Sequence, residues 1–505
     1  MEGISAEAAS LAGHWRLSNL VWLYDDNGIT IDGSTDLAFS ENVALRFESM
    51  GWRVLKVDGH NTLEISSALK SARDEQQYPT LVVCKTHIGY GSPNKVDTSA
   101  SHGAPLGDDE LAQTRKQLNW DHAPFEVPTH VRKALEASQE RKRTEAAQWR
   151  AAFEAWSQRH PELRRAFDAS QDNTLPEGLT QALLDAVPAA GATRKLSASA
   201  ISEASKHVPS LVGGSADLTG SNGALIKAAG TVGHPDYEGQ SFSFAGRQLY
   251  FGIREHAMGA ITNGMLLHGG FRPFGATFLV FSDYCRPTIR MAALCGLPNI
   301  FVFTHDSVFL GEDGPTHQPI EHHWALRMIP KVAYFRPADG VEVAMAWQFA
   351  LSQTDRPIAF GLTRQNLPEL IRTTATPHDV LRGGYVLSGE DDSNITIMAT
   401  GSEVQLAVES AVELRAQGHR VRVVSIPCVD VFLEQDRDYQ NAVLGEGVRV
   451  SIEAGITLPW ARFTGLDGLN IGIDTFGASA PASVLAEEFG LTTEAVTAKI
   501  LSHLG

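Results

Sequence analysis

The strongest constraint on the fold is a regular alternation of short apolar runs with helix-prone segments. In the N-terminal part, strand-like runs at 20–24, 53–57 and 80–85 are separated by helical patterns. Strands that alternate with helices build parallel sheets with helices on their faces. The same alternation recurs from about 191 to 363, with strand-like runs at 211–212, 272–277, 300–304, 331–335 and 358–362. It recurs again from about 382 to 505, with runs at 395–399 and 420–425. The sequence therefore predicts an α/β protein made of three consecutive α/β blocks with largely parallel sheets.

A charge-dense, helix-prone segment separates the first two blocks. Between about 124 and 174 basic and acidic side chains are interspersed, which is typical of a solvated helical connector. The predicted organisation is a first domain at 1–125, a connector at 126–190, a second domain at 191–380 and a third at 381–505.

Composition excludes several classes of partner. The net charge is −17, and no basic block could follow a nucleic-acid backbone. The four cysteines are scattered without C-x-x-C spacing, which indicates a reducing compartment with neither a disulfide framework nor structural zinc. No apolar run approaches membrane-spanning length. We expect a cytoplasmic protein that binds neither nucleic acid nor membranes.

Residues 251–264 combine a charged helix start with a small, apolar face. Glu255 stands at the edge of that face, where poor solvation raises the pKa of a carboxylate and suits it to proton chemistry. The alternative is that Glu255 stabilises the helix through its dipole and pairs with Arg254. This stretch alone favours the structural alternative.

The loop at 304–319, THDSVFLGEDGPTHQP, places two histidines and three acids after an apolar strand. Such a density of polar groups is costly as pure structure, since each buried polar group needs a partner. Loops at strand ends often carry sites, so the functional interpretation is favoured here.

Two loops of the first block could hold an anionic ligand and its metal. Residues 25–29 follow a strand, and the Asn27 amide with the Ile29 carbonyl offers hard oxygen donors for magnesium or calcium; the alternative is a plain Asx turn. The glycine-rich loop 85–93, with a second that contains His102, could cradle a diphosphate through backbone N–H groups.

Phe278, Phe281 and Tyr284 are spaced to share one face of a helix. On spacing alone, an ordinary core position is the better interpretation of this trio.

Several stretches together resemble the transketolase family over essentially the whole chain. The loop at 304–319 is the most specific. The others are YDDNGITIDG at 24–33, KTHIGYGSPN at 85–94, SHGAPLG at 101–107, GGSADLTGSN at 213–222, GIREHAMGAI at 252–261, TRQNLP at 363–368, ATGSEV at 399–404 and EAGI at 453–456.

The resemblance implies a thiamine diphosphate-binding fold for the first two blocks, a diphosphate-binding domain followed by a pyrimidine-binding domain, and a smaller C-terminal domain. It implies reversible transfer of a two-carbon ketol group between sugar phosphates, in the pentose phosphate pathway or in carbon fixation. It also implies a homodimer with active sites at the subunit interface.

The resemblance assigns the pyrimidine end of the cofactor to residues of the second block. Glu255 matches the glutamate that hydrogen-bonds N1′ of the aminopyrimidine and favours the imino tautomer, with which the cofactor deprotonates its own C2. Phe281, with Phe278 and Tyr284 beside it, matches the aromatic pocket around the ring. Asp217 matches a residue near the cofactor across the subunit interface.

The resemblance assigns the diphosphate and the substrate to other residues. Asn27 and the Ile29 carbonyl match ligands of a Mg²⁺, Ca²⁺ or Mn²⁺ ion, and His102 matches a histidine between diphosphate and substrate with a catalytic role. The phosphate of the sugar is assigned to Arg194, Ser221, His305 and Arg364, and its hydroxyls and proton relay to Asp313 and His317.

The family's first domain begins well before the position equivalent to Met1. The preceding segment carries a glycine-aspartate-glycine element whose aspartate is a metal ligand. We therefore expect a chain that lacks the N-terminal part of its first domain, and is inactive alone although it still dimerises. The alternatives are a dihydroxyacetone synthase-like transferase with formaldehyde as acceptor, and a non-catalytic fragment or split subunit.

Overall fold

The computed structural model describes residues 3–237, 239, 241–373 and 375–505. The chain forms two compact units, residues 1–164 and 165–505. The division falls within a helix, α6 (Pro161–Gln171).

The first unit is built on a parallel three-stranded sheet in the order β1-β5-β4, with a two-stranded antiparallel hairpin, β2-β3. Its strands are β1 (Val21–Asp26), β2 (Ile29–Thr30), β3 (Gly33–Ser34), β4 (Arg53–Asp58) and β5 (Thr80–Lys85). Its helices are α1 (Gly3–His14), α2 (Val43–Ser49), α3 (Thr62–Arg73), α4 (Asp108–Gln117) and α5 (Thr129–Arg159).

The core of the first unit is an aromatic cluster between the sheet and its helices. The Trp52 ring lies 4.9 Å from that of Trp22 and 5.2 Å from that of Phe47, measured between centroids. Trp52 also donates its indole N–H to the carbonyl of Ala9, at 2.8 Å. This contact ties α1 to the same core.

The second block of the chain forms a six-stranded parallel sheet in the order β10-β11-β9-β8-β6-β7. Its strands are β6 (Leu211–Ser215), β7 (Gln248–Tyr250), β8 (Arg272–Phe278), β9 (Ile300–Thr304), β10 (Ala333–Phe335) and β11 (Ile358–Leu362). Its helices are α7 (Leu179–Ala186), α8 (Thr193–His207), α9 (Thr219–Asn222), α10 (Glu255–His268), α11 (Ser282–Cys295), α12 (His322–Arg327) and α13 (Gly340–Ser352). Trp347 lies fully buried between Phe274 and Phe360.

The third block forms a five-stranded sheet in the order β12-β14-β13-β15-β16, parallel except for β12. Its strands are β12 (Tyr385–Ser388), β13 (Ile395–Ala399), β14 (Val421–Ser425), β15 (Val448–Ile452) and β16 (Leu469–Ile471). Its helices are α14 (Glu403–Ala416), α15 (Val429–Leu433), α16 (Arg437–Leu444), α17 (Ala461–Thr464), α18 (Ala482–Glu488) and α19 (Thr493–Leu504). The predicted α/β class with largely parallel sheets is therefore confirmed.

The aromatic trio does not lie on one helix, and that prediction is wrong. Phe278 is the last residue of β8, Phe281 ends a 3₁₀ turn, and only Tyr284 lies in α11. The three side chains nevertheless form a row, because residues three apart are aligned in a 3₁₀ turn.

Within the part of the chain that the structure describes, no helix combines the length and apolarity needed to cross a bilayer.

Candidate active site

The candidate site of the 165–505 unit lies where four neighbouring parallel strands end. In the sheet, β11, β9, β8 and β6 are consecutive, and their carboxyl ends meet at one edge. The segments that follow these strands carry Arg364, His305, Phe281 and Asp217, respectively. Ligands of open parallel sheets bind at this edge, so the topology by itself brings the predicted residues to one place.

Two arginines are brought together by a pair of threonines. The backbone N–H of Thr363 donates to the Thr193 hydroxyl at 2.7 Å, and the N–H of Thr193 donates to the Thr363 hydroxyl at 3.2 Å. Thr193 begins α8, and Thr363 follows β11. Each threonine is followed by an arginine, so Arg194 and Arg364 lie close to each other.

The arginine pair creates a positive site that has unused hydrogen-bonding capacity. Arg194 donates from Nη1 to the carbonyl of Ser221 at 2.6 Å. Its Nε is buried and has no hydrogen-bond partner among the described residues. Burial lowers the pKa of the Arg194 guanidinium, and the charge of Arg364 lowers it further. An anion at this position would satisfy the free N–H and relieve the repulsion between the two cations.

His305 faces the same site and is held by a chain of buried polar groups. The Ser215 hydroxyl donates to Asn222 Oδ1 at 2.6 Å, and Asn222 Nδ2 donates to the Thr304 hydroxyl at 2.7 Å. Thr304 Oγ1 lies 2.8 Å from His305 Nδ1. Because the Thr304 oxygen already accepts from Asn222, we assign its proton to the bond with His305. The imidazole then carries its own proton on Nε2.

The His305 imidazole is neutral near pH 7. Burial lowers its pKa to about 3, with smaller effects from Arg194, Arg364 and His317 in the same direction. Only 5% of its surface is exposed, and its backbone φ is +58°. This left-handed conformation is strained for a residue other than glycine and is typical of functional positions.

Phe278, Phe281 and Tyr284 form a row of rings, the aromatic wall, which joins His305 to the rest of the site. The Phe278 ring lies 3.8 Å from that of His305 and 6.0 Å from that of Phe281, between centroids. His317 presents its ring edge-on to Phe281 at 5.6 Å, and Tyr284 continues the row beyond Phe281 at 6.0 Å. A flat ring of a ligand could pack against these aromatic side chains, with His305 and His317 beside it.

Glu255 is the first residue of α10 and is buried, with 8% of its surface exposed. Its helix packs closely on α11, since a Cβ at Gly259 would lie 2.2 Å from the Thr288 hydroxyl oxygen. Gly259 thus lets the two helices approach, as its lack of bulk predicts. Arg254, at the preceding position, donates to the Phe251 carbonyl at 2.9 Å.

Of the remaining predicted residues of this unit, Asp217 and Asp313 are exposed and Ser221 is half-buried. Asp217 follows β6 with a φ of +63°, and Asp313 lies exposed on the 304–319 loop. Ser221 lies in α9 and meets Arg194 through its carbonyl.

The pH dependence of stability should report the state of His305. In the unfolded chain the His305 imidazole binds a proton near pH 6.5, whereas in the folded chain it does so only near pH 3. The free energy of unfolding should therefore fall as pH drops from about 6.5 towards 3. Urea titrations at several pH values measure how the free energy of unfolding changes with pH. This change should be smaller in His305→Gln than in wild type, and the same as wild type in the exposed control His378→Gln. Equal slopes in wild type and His305→Gln would contradict the assignment.

The 1–164 unit contains the other predicted residues. Asn27 Oδ1 accepts the N–H of Ile29 at 2.9 Å, which is an Asx turn. Its Nδ2 lies 3.3 Å from a carboxylate oxygen of Asp25. His102 is exposed and follows a 3₁₀ turn that ends at Ser101, whose hydroxyl donates to the Lys95 carbonyl at 2.5 Å.

These donors fit the groups that the family implies. The amide and carbonyl oxygens at Asn27 and Ile29 are of the kind that hard divalent cations prefer, and an accepting oxygen keeps a second lone pair in the Asx turn. Among the described residues no cluster of three or more His, Cys, Asp or Glu side chains is arranged to hold a metal. The aromatic wall fits a pyrimidine ring.

Sequence reasoning missed the residues that orient the site. Thr193, Thr363, Asn222 and Thr304 are all fully buried and hold Arg194, Arg364 and His305 in place. No clear signal was available for them: the dipeptide Thr-Arg at 193–194 and 363–364 also occurs at 114–115, outside this site.

Comparison with protein families gives three consecutive matches. Residues 1–176 match the thiamine diphosphate binding domain of transketolase, residues 189–369 its pyrimidine binding domain, and residues 383–492 a transketolase-like C-terminal domain. Each of the three predicted domains has its own match, so these matches do not support the expectation that the first domain lacks its N-terminal part.

Curated proteins and solved structures agree with these matches. A transketolase of Geobacillus stearothermophilus is 46% identical over 519 residues, covering 100% of this chain and 76% of that protein. Transketolase 1 of Escherichia coli is 43% identical over 509 residues, covering 99% and 75%. The structure of a Pichia stipitis transketolase in complex with sedoheptulose 7-phosphate superposes with a TM-score of 0.94 at 38% identity, covering 100% of this chain and 74% of that one.

Proposed function

This chain belongs to the transketolase family, and we propose that it is a thiamine diphosphate-dependent transferase. It moves a two-carbon ketol group reversibly from a ketose phosphate, such as xylulose 5-phosphate, to an aldose phosphate, such as ribose 5-phosphate. The proposed setting of this reaction is the pentose phosphate pathway, and the alternative setting is carbon fixation.

The observation that carries this proposal is the arginine pair beside the aromatic wall. Arg194 and Arg364 form a positive site with a buried, unpartnered N–H, and His305 stands between it and Phe278. A phosphate group suits the first part and a flat heterocycle suits the second. A sugar phosphate and thiamine diphosphate supply these two groups.

Glu255 is proposed to act on the pyrimidine. Bound thiamine diphosphate supplies the electron sink that carbon–carbon cleavage needs. A buried carboxyl at the start of α10 would hold a proton against N1′ of the ring and so keep the imino tautomer populated. Phe278, Phe281 and Tyr284 would hold the ring in place and exclude water.

The sugar phosphate is proposed to lie along the strand ends. Arg194, Arg364 and Ser221 would bind its phosphate, to which neutral His305 would donate from Nε2. Asp313 and His317 would bind hydroxyl groups, and His317 would relay protons as the donor is cleaved. Charge-assisted bonds from the two guanidinium groups would give affinity for phosphorylated over neutral sugars.

The diphosphate end is proposed to belong to the first block. Asn27 and the Ile29 carbonyl would bind Mg²⁺, or Ca²⁺ or Mn²⁺ in its place, and His102 would contact both diphosphate and substrate. We further propose the domain limits given above, a cytoplasmic homodimer, and an active site completed by Asp217 across the subunit interface.

The test combines the purified chain with thiamine diphosphate, Mg²⁺, xylulose 5-phosphate and ribose 5-phosphate. The family matches do not support the missing segment from which inactivity was expected, so a seven-carbon ketose phosphate and a three-carbon aldehyde phosphate should accumulate together. Replacing ribose 5-phosphate by formaldehyde tests for a dihydroxyacetone synthase. A clear preference for formaldehyde would replace the proposed acceptor, and no product from either at high enzyme concentration would refute the proposal.

A further inference from the structure

The sequence assigns no chemistry to the third block. In the structure, this block is attached to the 304–319 loop at positions next to each of the loop residues proposed to bind the sugar phosphate. We refer to residues 304–319 as the substrate loop. Its residues proposed to bind the sugar phosphate are His305, at the phosphate, and Asp313 and His317, at the hydroxyl groups. Their sequence neighbours Asp306, Glu312 and Gln318 are each joined to the third block directly or through one side chain.

The first attachment runs through a buried arginine. Asp306 accepts a hydrogen bond from Arg336 Nε at 2.8 Å. The same guanidinium donates to the carbonyl of Thr400 at 3.1 Å and to the Glu403 carboxylate. Arg336 and Glu403 are each at most 1% exposed. Asp306 is thereby fixed against the start of α14 by a charge-assisted network that excludes water.

The second attachment is a side chain fitted against a glycine. Gln318 is 3% exposed, and its Nε2 donates to the Gly311 carbonyl at 2.9 Å and to the Ala478 carbonyl at 2.8 Å. A Cβ at Gly477 would lie 1.8 Å from Gln318 Oε1. The third block therefore needs glycine at this position if Gln318 is to keep its place.

The third attachment binds the middle of the loop. The Ser479 hydroxyl donates to the carbonyl of Glu312 at 2.5 Å. Gly314 lies against the same serine, since a Cβ there would approach the Ser479 Cβ to 3.3 Å. Residues 477–479 of the third block thus contact both sides of Asp313.

We propose that the third block positions the substrate loop, with Asp306, Gln318, Gly477 and Ser479 as positioning residues for the two histidines and Asp313. The attachments fix the loop at its start, middle and end, so His305 and His317 face the aromatic wall at constant spacing. The inference rests on the proposed function for its effect on turnover. That the substrate loop is ordered by its contacts with the third block does not depend on which reaction the protein catalyses.

The test uses Gly477→Ala and Ser479→Ala in the full chain. Both should lower kcat/KM for the ketose phosphate about tenfold or more through misplacement of the loop, with unchanged affinity for thiamine diphosphate. Ser479→Thr should restore activity. The matched control is Ser393→Ala, which removes a comparable hydroxyl-to-carbonyl bond, to Glu390, elsewhere in the third block.

A double-mutant cycle identifies the route of the effect. If Gly477→Ala acts by displacing Gln318, it should cause no further loss in a Gln318→Ala background, so the two changes should be strongly non-additive. Fully additive losses would contradict the role given to Gln318.

Hydrogen–deuterium exchange decides the inference without catalysis. Amides of the substrate loop should exchange about tenfold faster in both variants, with the rest of the 165–505 unit unchanged. Unchanged loop exchange, or an equal rise throughout the unit, would overturn the inference. Failure of the wild-type chain to form product would refute the proposed function and leave this exchange result decisive for the loop.

Discussion

Glu255→Gln is expected to slow hydrogen–deuterium exchange at C2 of bound thiamine diphosphate by about 30- to 1,000-fold. This corresponds to about 2–4 kcal/mol, the usual size of a lost proton-transfer or electrostatic contribution. Glutamine keeps the shape of the side chain and can still hydrogen-bond the ring. It cannot share a carboxyl proton with N1′. The dissociation constant of the cofactor should therefore change little.

Quenched-flow exchange followed by proton NMR measures this rate directly. Asp283→Asn is the matched control, because it also neutralises a carboxylate in the first turn of a helix, with 61% of the Asp283 side chain exposed. The control should exchange at the wild-type rate. Exchange at the wild-type rate in Glu255→Gln, or equal slowing in both variants, would refute the role of Glu255.

Arg364→Ala and Arg194→Ala are each expected to raise KM for phosphorylated sugars roughly 30- to 150-fold. This corresponds to a loss of about 2–3 kcal/mol of binding free energy. The reason is the removal of one of two adjacent cations, of which Arg194 also has a buried N–H without a hydrogen-bond partner among the described residues. Acceptors without a phosphate should be used almost as well as by wild type, because they do not reach these groups.

The control is Arg462→Ala, which removes an exposed arginine of the third block. Steady-state kinetics with ribose 5-phosphate and with a neutral aldehyde acceptor separate the two outcomes. Equal losses on both acceptors would show that the two arginines stabilise the structure and do not recognise phosphate.

Much of the sheet structure could be predicted because buried parallel strands are almost continuously apolar. The runs at 80–85, 300–304 and 358–362 coincide with β5, β9 and β11. The edge strand β7 was missed, since it has three residues and begins with Gln248, which gives no apolar run.

The residues of the site that stand on polar loops could be predicted from the sequence. His305, His317 and Arg364 belong to polar loops that sequence patterns reveal. Thr304 and Asn222 carry no such pattern, because their role depends on strands that meet only in the folded sheet. The same reason conceals Arg336, whose partners Asp306 and Glu403 are separated by about a hundred residues of sequence.

Transfer of the two-carbon group itself is the most direct test of the proposed activity. Xylulose 5-phosphate labelled with ¹³C at C1 and C2 would be incubated with unlabelled ribose 5-phosphate, thiamine diphosphate, Mg²⁺ and the purified chain. Mass spectrometry and carbon NMR should find both labels at C1 and C2 of a seven-carbon ketose phosphate, and an unlabelled three-carbon aldehyde phosphate. A seven-carbon product without label, label left in the three-carbon product, or no seven-carbon product would contradict the proposed function.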